Sequence, residues 1–279
     1  MFLQVLSIIL HILLAVLVLL VMVTIHELGH YLIGKLLKFK INEFAVGLGP
    51  KIFSKKLKNG EVFSLRILPL GGYCAFKDEM DEEEQKVDRD VFDLEEKKEE
   101  APPEDKTLNF SQQKPWKRIL VLSGGAIFNL ISAFIFSFIF LLVMRQGFVG
   151  ALLGFIPETG RMIWMLISVP AMFIRGEASL GDISGPIGAI GTMAEFTMLN
   201  WRFLFLLFPF LAANFAIFNL LPIPALDGSR IIFATIEWIR GKPMVSRKVE
   251  NIIHTVGFLI IIGLMLLVLT PLDILRFIR

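Results

Sequence analysis

From Met1 to Val23 the chain is predominantly apolar, and the stretch that follows, VTIHELGHYLI, sets His26, Glu27 and His30 into the end of that run. A run of this length crosses a hydrocarbon core as a helix. Ionisable groups at such depth are costly unless they face a protein interior or a watery cavity. Positions four apart share a helix face, so His26 and His30 can offer two imidazole nitrogens to one metal ion. Glu27 lies one residue round, within reach of a metal-bound water without taking a ligand place. This is the His-Glu-x-x-His pattern of a zinc hydrolase. A structural pair hydrogen-bonded to a neighbouring helix is the competing reading, and the depth of the three groups weighs against it.

The rest of the composition agrees with a membrane setting. Of 279 residues, 55% are hydrophobic, and the mean hydropathy of +0.69 is too high for an ordinary soluble domain. The net charge of +2 is near balance, and the basic residues sit in loops beside apolar spans, which excludes a nucleic-acid groove. A lone cysteine, Cys74, rules out an internal disulfide framework and a cysteine zinc cluster. With no charged region before its apolar run and no small-residue cleavage pattern after it, the N-terminus reads as a retained span.

The expected fold is an α-helical polytopic membrane protein: four transmembrane helices with a membrane-associated β-hairpin. Residues 1–37 form the first transmembrane helix, with Lys35, Lys38 and Lys40 beyond the motif. His11 is fifteen residues before His26, about 22 Å along the axis, too far to share its metal. Over 38–77 the periodicity changes to strands, Glu43 to Phe53 and Glu61 to Leu68, joined at Asn59-Gly60. An unpaired edge of that hairpin can accept an extended peptide. Residues 78–118 comprise a cytoplasmic acidic loop, with fifteen acidic and four basic residues from Asp78 to Asp105, and an approach helix. The second span, 119–144, opens with SGGAIFN, whose small residues allow close packing and whose Asn129 offers one polar contact across it. Residues 145–201 read as an extracytoplasmic loop with interfacial helices, Met162 to Ile174 being too short to cross. The third span and a following helix occupy 202–240; a basic link and the fourth span occupy 241–279. Basic loops mark the cytoplasmic side, so both termini are expected outside, with the metal motif opening towards the cytoplasmic leaflet.

A zinc hydrolase takes three protein ligands and a water, so one ligand is missing. His254 fits by element type. Asp227 is better placed, because Pro222 and Pro224 break the third helix and Gly228 lets backbone come close. Its alternative is an N-cap for the next helix. Glu27 would act as the base, and Asn219, one turn before the prolines, could bond a substrate backbone or serve helix packing.

HELGH, VGLGP, LPLGGY, SGGAIFN, SGPIG and NLLPIPALDG in this order resemble the bacterial site-2 proteases of the RseP/RasP group. The resemblance covers most of the chain. It implies a zinc metalloprotease of the bacterial inner membrane that cuts single-span substrates such as anti-sigma factors or signal-peptide remnants within the lipid bilayer. It further implies His26, His30 and Asp227 as zinc ligands, Glu27 as catalytic base, Asn219 near the substrate, and Gly71, Gly72 and Tyr73 as substrate platform. Gly125 stands where the group often has proline, and GGYCAF departs from the usual GGYVKM. The group's outer PDZ domain, which needs about ninety residues, has no room after Arg145. A zinc carrier or an idle substrate binder is the alternative; a carrier is expected to spread polar groups along a path through several spans, and here they gather at one depth.

Overall fold

The structure, a computed structural model, describes residues 2–77, 107–179, 184–271 and 273. The acidic loop expected over 78–105 lies outside the described residues. Helix α1, Phe2–Leu36, is continuous through the HELGH motif. Leu10, Leu13 and Leu17 are exposed on it, while Ala15, Val18 and Met22 are buried against other helices. Its end is closed by Lys38 at φ 63°, with the Lys38 N–H on the Lys35 carbonyl (3.1 Å) and the Phe39 N–H on that of Gly34 (2.9 Å).

Strands β1, Ile41–Lys56, and β2, Val62–Phe76, make the expected hairpin, each longer than its sequence pattern. The turn closes with the Leu57 N–H on the Glu61 carbonyl (2.8 Å) and Gly60 at φ 85°. Gly47 and Gly49, at φ 89° and 82°, bend β1, a conformation only glycine adopts freely. The two strands consequently meet twice: Phe44 pairs with Cys74 on one side and Phe63 on the other, and Ala45 with Tyr73 and Ser64. Among the described residues Gly72–Phe76 has only β1 as strand partner, which leaves an outer edge. Phe39, Ile41, Phe76, Phe110, Val121 and Leu122 form the core that seats this hairpin on the helices.

Helices α2, Pro115–Leu122, and α3, Gly124–Val143, follow, joined at Ser123. Next come α4, Gly147–Ile174, α5, Pro186–Leu199, and α6, Phe203–Asn219. The chain ends with α7, Asp227–Arg240, and α8, Arg247–Leu264, which runs on as a π turn over Met265–Leu269. Met22 of α1, Ala133 of α3 and Ala212 and Ala213 of α6 are fully buried together, with Phe136 stacked on Phe208 at 4.7 Å.

Four described helical segments are long and apolar enough to cross a membrane: Leu6–Leu36, Pro115–Val143, Gly147–Ile174 and Lys248–Leu267. The third of these corrects the sequence reading of 145–201 as a loop with interfacial helices. Pro157 and Pro170 do not break α4, and Glu158 pairs with Arg161 one turn on (2.8 Å), so the interruption that marked a loop is carried on one helix. The expected third span, α6, is only 17 residues long. Three residues, 144–146, join α3 to α4, so that junction holds no further domain.

What positions the motif is a glycine seam between α1 and α3. A Cβ on Gly29 would run into the Gly124 carbonyl, and one on Gly124 would lie 2.8 Å from the Gly29 carbonyl oxygen. The helix backbones touch there, as small residues allow in membrane proteins. Gly29→Ala should therefore lower stability by about 1–3 kcal/mol, the range for overpacking a tight interior. Gly160→Ala, where nothing lies within 4 Å, should not; thermal unfolding in detergent distinguishes the two.

Candidate active site

His26 and His30 are both buried, on the face of α1 that meets the seam. A Cβ on Gly125 would strike both imidazoles, so α3 lies directly over them. The Val121 carbonyl, at the end of α2, accepts the Nδ1–H of His30 at 2.8 Å, which leaves Nε2 of that ring with its lone pair free. On the other side Asn129 of α3 touches Nδ1 of His26 at 3.1 Å and is fully buried. Both rings are thereby held with Nε2 pointing to one spot.

Asp227 arrives at that spot from the far end of the sequence. Its Oδ2 lies 3.0 Å from His26 Nε2 and 3.3 Å from His30 Nε2, and the two nitrogens are 3.2 Å apart. The N-cap alternative does not hold: Leu226 occupies the cap position of α7, and Asp227 turns its carboxylate to the histidines. These distances match the edges of a tetrahedron whose corners sit about 2 Å from its centre, roughly 3.3 Å. Two neutral imidazoles and a carboxylate so disposed suit Zn²⁺, and the second nitrogen of His30 already has the Val121 carbonyl as its acceptor. No other group of three such residues converges this way among the described residues.

Glu27 stands beside the cluster on the side of the hairpin. Its carboxyl accepts the backbone N–H of Cys74, and its Cγ would lie 3.4 Å from a Cβ on Gly72. The edge strand thus runs past the glutamate. Tyr73 is held from behind: its hydroxyl donates to Glu43 Oε2 at 2.9 Å and accepts from Arg66, whose other amino group donates to the Gly49 carbonyl at 2.8 Å. Gly71 lies against the side chain of Leu48. Asn219 is not brought into the cluster; its Nδ2 donates to the Phe215 carbonyl one turn back at 2.9 Å. His254 also stays outside it, against Ala225 and Ser229, and His11 bonds the Ser7 carbonyl. Sequence reasoning missed the Val121 carbonyl and the Glu43–Arg66–Tyr73 clamp. Asn129 was legible only as a polar group among small residues.

With this geometry, the model of peptidase family M50 matches residues 14–264. The chain belongs to peptidase family M50. Among M50 relatives, a provisionally named zinc metalloprotease of Clostridium perfringens is 26% identical over 339 residues, covering 88% of this chain and 93% of its own. Another from Fusobacterium nucleatum is 24% identical over 350 residues, covering 92% and 96%. The zinc metalloprotease RasP of Geobacillus kaustophilus is 34% identical over 131 residues, 45% of this chain and 30% of its own. The first two matches are longer than the chain's 279 residues, so those relatives carry residues it lacks. Family membership agrees with the expectations of a membrane-embedded, site-2-type metallopeptidase and of zinc as its metal. Replacing His26, His30 or Asp227 singly by alanine should reduce bound zinc from about one per chain to under about a tenth, measured by metal analysis of purified protein.

Proposed function

We propose that the protein is an intramembrane zinc metalloprotease that hydrolyses peptide bonds in or near the transmembrane segments of single-span proteins. The observation that carries this reading is the meeting, at one buried point, of His26, His30 and Asp227, with Glu27 between them and an open strand edge. His26, His30 and Asp227 would hold the zinc. When bound, it supplies Lewis acidity, polarising the scissile carbonyl and acidifying the attacking water.

Glu27 takes the proton from that water as its oxygen attacks the carbonyl carbon, and returns a proton to the nitrogen as the C–N bond breaks. The Cys74 N–H on the Glu27 carboxyl fixes where that proton is held. A substrate helix has its backbone groups paired internally, so it must unwind before it can be cut. The Gly71–Tyr73 edge offers the unwound segment replacement hydrogen bonds by strand addition. Gly72 brings that strand close to Glu27, and Arg66 and Glu43 hold Tyr73 so that the edge keeps its place. A substrate contact by Asn219 requires its amide to leave the Phe215 carbonyl.

Substrates of this kind include anti-sigma factors and signal-peptide remnants. The setting would be a bacterial inner membrane, with both termini outside and the site opening towards the cytoplasm, because the segments 35–58, 114–118 and 240–248 are the basic ones and basic loops mark the cytoplasmic side. Cleavage of a single-span reporter in reconstituted vesicles tests the activity. Glu27→Gln should keep its zinc and lose at least about a hundredfold in rate, the usual scale of general-base catalysis. Equal cleavage by parent and Glu27→Gln, or none by the zinc-loaded parent on a panel of reporters, would reject the reading.

A further inference from the structure

Asp227 depends on an irregular turn, and the turn depends on a helix that brings no group to the metal cluster. Ala225, two residues before the aspartate, has φ 86°, a left-handed conformation that an L-residue with a Cβ adopts only at a cost. Two bonds within the turn, Ile223 N–H to Leu221 (2.8 Å) and Leu226 N–H to Ile223 (3.0 Å), leave the Ala225 N–H unpaired locally. That N–H instead donates to Nδ1 of His254 on α8, at 3.2 Å. One turn along α8, Gly257 lies against the backbone of Pro224: a Cβ there would be 2.8 Å from the Pro224 carbonyl carbon and oxygen. The turn is thus seated on α8 at two successive residues.

His254 is an odd choice for a seat unless its acceptor is what matters. It is 6% exposed, and with Nδ1 accepting, the proton resides on Nε2, which has no hydrogen-bond partner among the described residues. A leucine would fill the same space without stranding that N–H. Ser229 Oγ, 3.4 Å from Nδ1, already donates to the Leu226 carbonyl at 2.8 Å, so Ala225 is the donor the ring serves. Phe233 meets the ring edge-on at 6.0 Å and fixes its plane.

We propose that His254 is a positioning residue for the metal site: by accepting the Ala225 N–H it holds the left-handed turn that delivers Asp227 to His26 and His30. This rests on the reading of Asp227 as a zinc ligand. Without the acceptor, Ala225 relaxes to negative φ, and a change of backbone direction two residues upstream carries the carboxylate away.

The test is the rate at which the purified, zinc-loaded full chain yields its metal to a chelator. His254→Leu should release zinc about tenfold faster, the factor expected when a left-handed alanine loses its support. His254→Asn, which keeps an acceptor near Nδ1, should stay within about twofold of the parent. Adding Ala225→Gly to His254→Leu should recover most of the retention, since glycine takes positive φ without help. Parental retention by His254→Leu, or no recovery by the glycine, would overturn the proposal. If His254→Leu alone does not accumulate as folded protein, its recovery as zinc-holding protein in the Ala225→Gly background supports it, and failure to recover overturns it. Asp227→Ala is measured alongside: unaltered retention there would remove the reading beneath, whereas loss there with none in His254→Leu would remove this proposal only.

Discussion

Two helices whose backbones touch make the site possible. Where Gly29 of α1 meets Gly124 of α3, nothing separates the chains, and the next residue on each, His30 and Gly125, is forced into the same contact. A histidine pair on a membrane helix is expensive in lipid. Here the seam covers it with a neighbouring helix and supplies the polar partners in the same stroke, the Val121 carbonyl at the end of α2 and Asn129 one turn into α3. The junction at Ser123 matters for that reason: the Val121 carbonyl just before it serves His30, and Gly124 just after it meets Gly29.

The second half of the site is brought in by chain breakage, where the first half is brought in by close packing. Pro222 and Pro224 end the run of α6, and the following turn sets Asp227 in the first turn of α7. Its carboxylate then compensates the two imidazoles at 3.0 and 3.3 Å. Arg118 of α2 pairs with Glu237 near the other end of α7, so the helix that carries the aspartate is tied at one end to the histidines and at the other to α2. Glu27 is left on the open side, where β2 passes it.

Much of this is legible in the amino-acid sequence. The i, i+4 histidines, the glutamate between them and an aspartate after two prolines are short-range patterns with a definite chemical use, and the structure brings the three ligand candidates together. The hairpin was legible from Asn59-Gly60 and its flanks, but not its double pairing, because the bend at Gly47 and Gly49 brings strands together in a register that local alternation does not encode. The loop expected over 145–201 was an error of length: Arg161 and Arg175 bracket an apolar stretch too short to cross, yet Arg161 pairs with Glu158 within a single 28-residue helix that begins at Gly147. His254 was legible only as a candidate ligand and Arg66 not at all, since their partners, a backbone N–H at Ala225 and a tyrosine hydroxyl, carry no motif.

The central claim is that the buried cluster holds one zinc ion through two imidazoles and one carboxylate. X-ray absorption at the zinc edge of the purified protein tests it most directly. The account predicts a single four-coordinate site of nitrogen and oxygen neighbours at about 2.0–2.1 Å, with the imidazole scattering reduced in His26→Ala and His30→Ala. A sulfur neighbour at about 2.3 Å, which would implicate Cys74, or a spectrum unchanged by those substitutions, would contradict it.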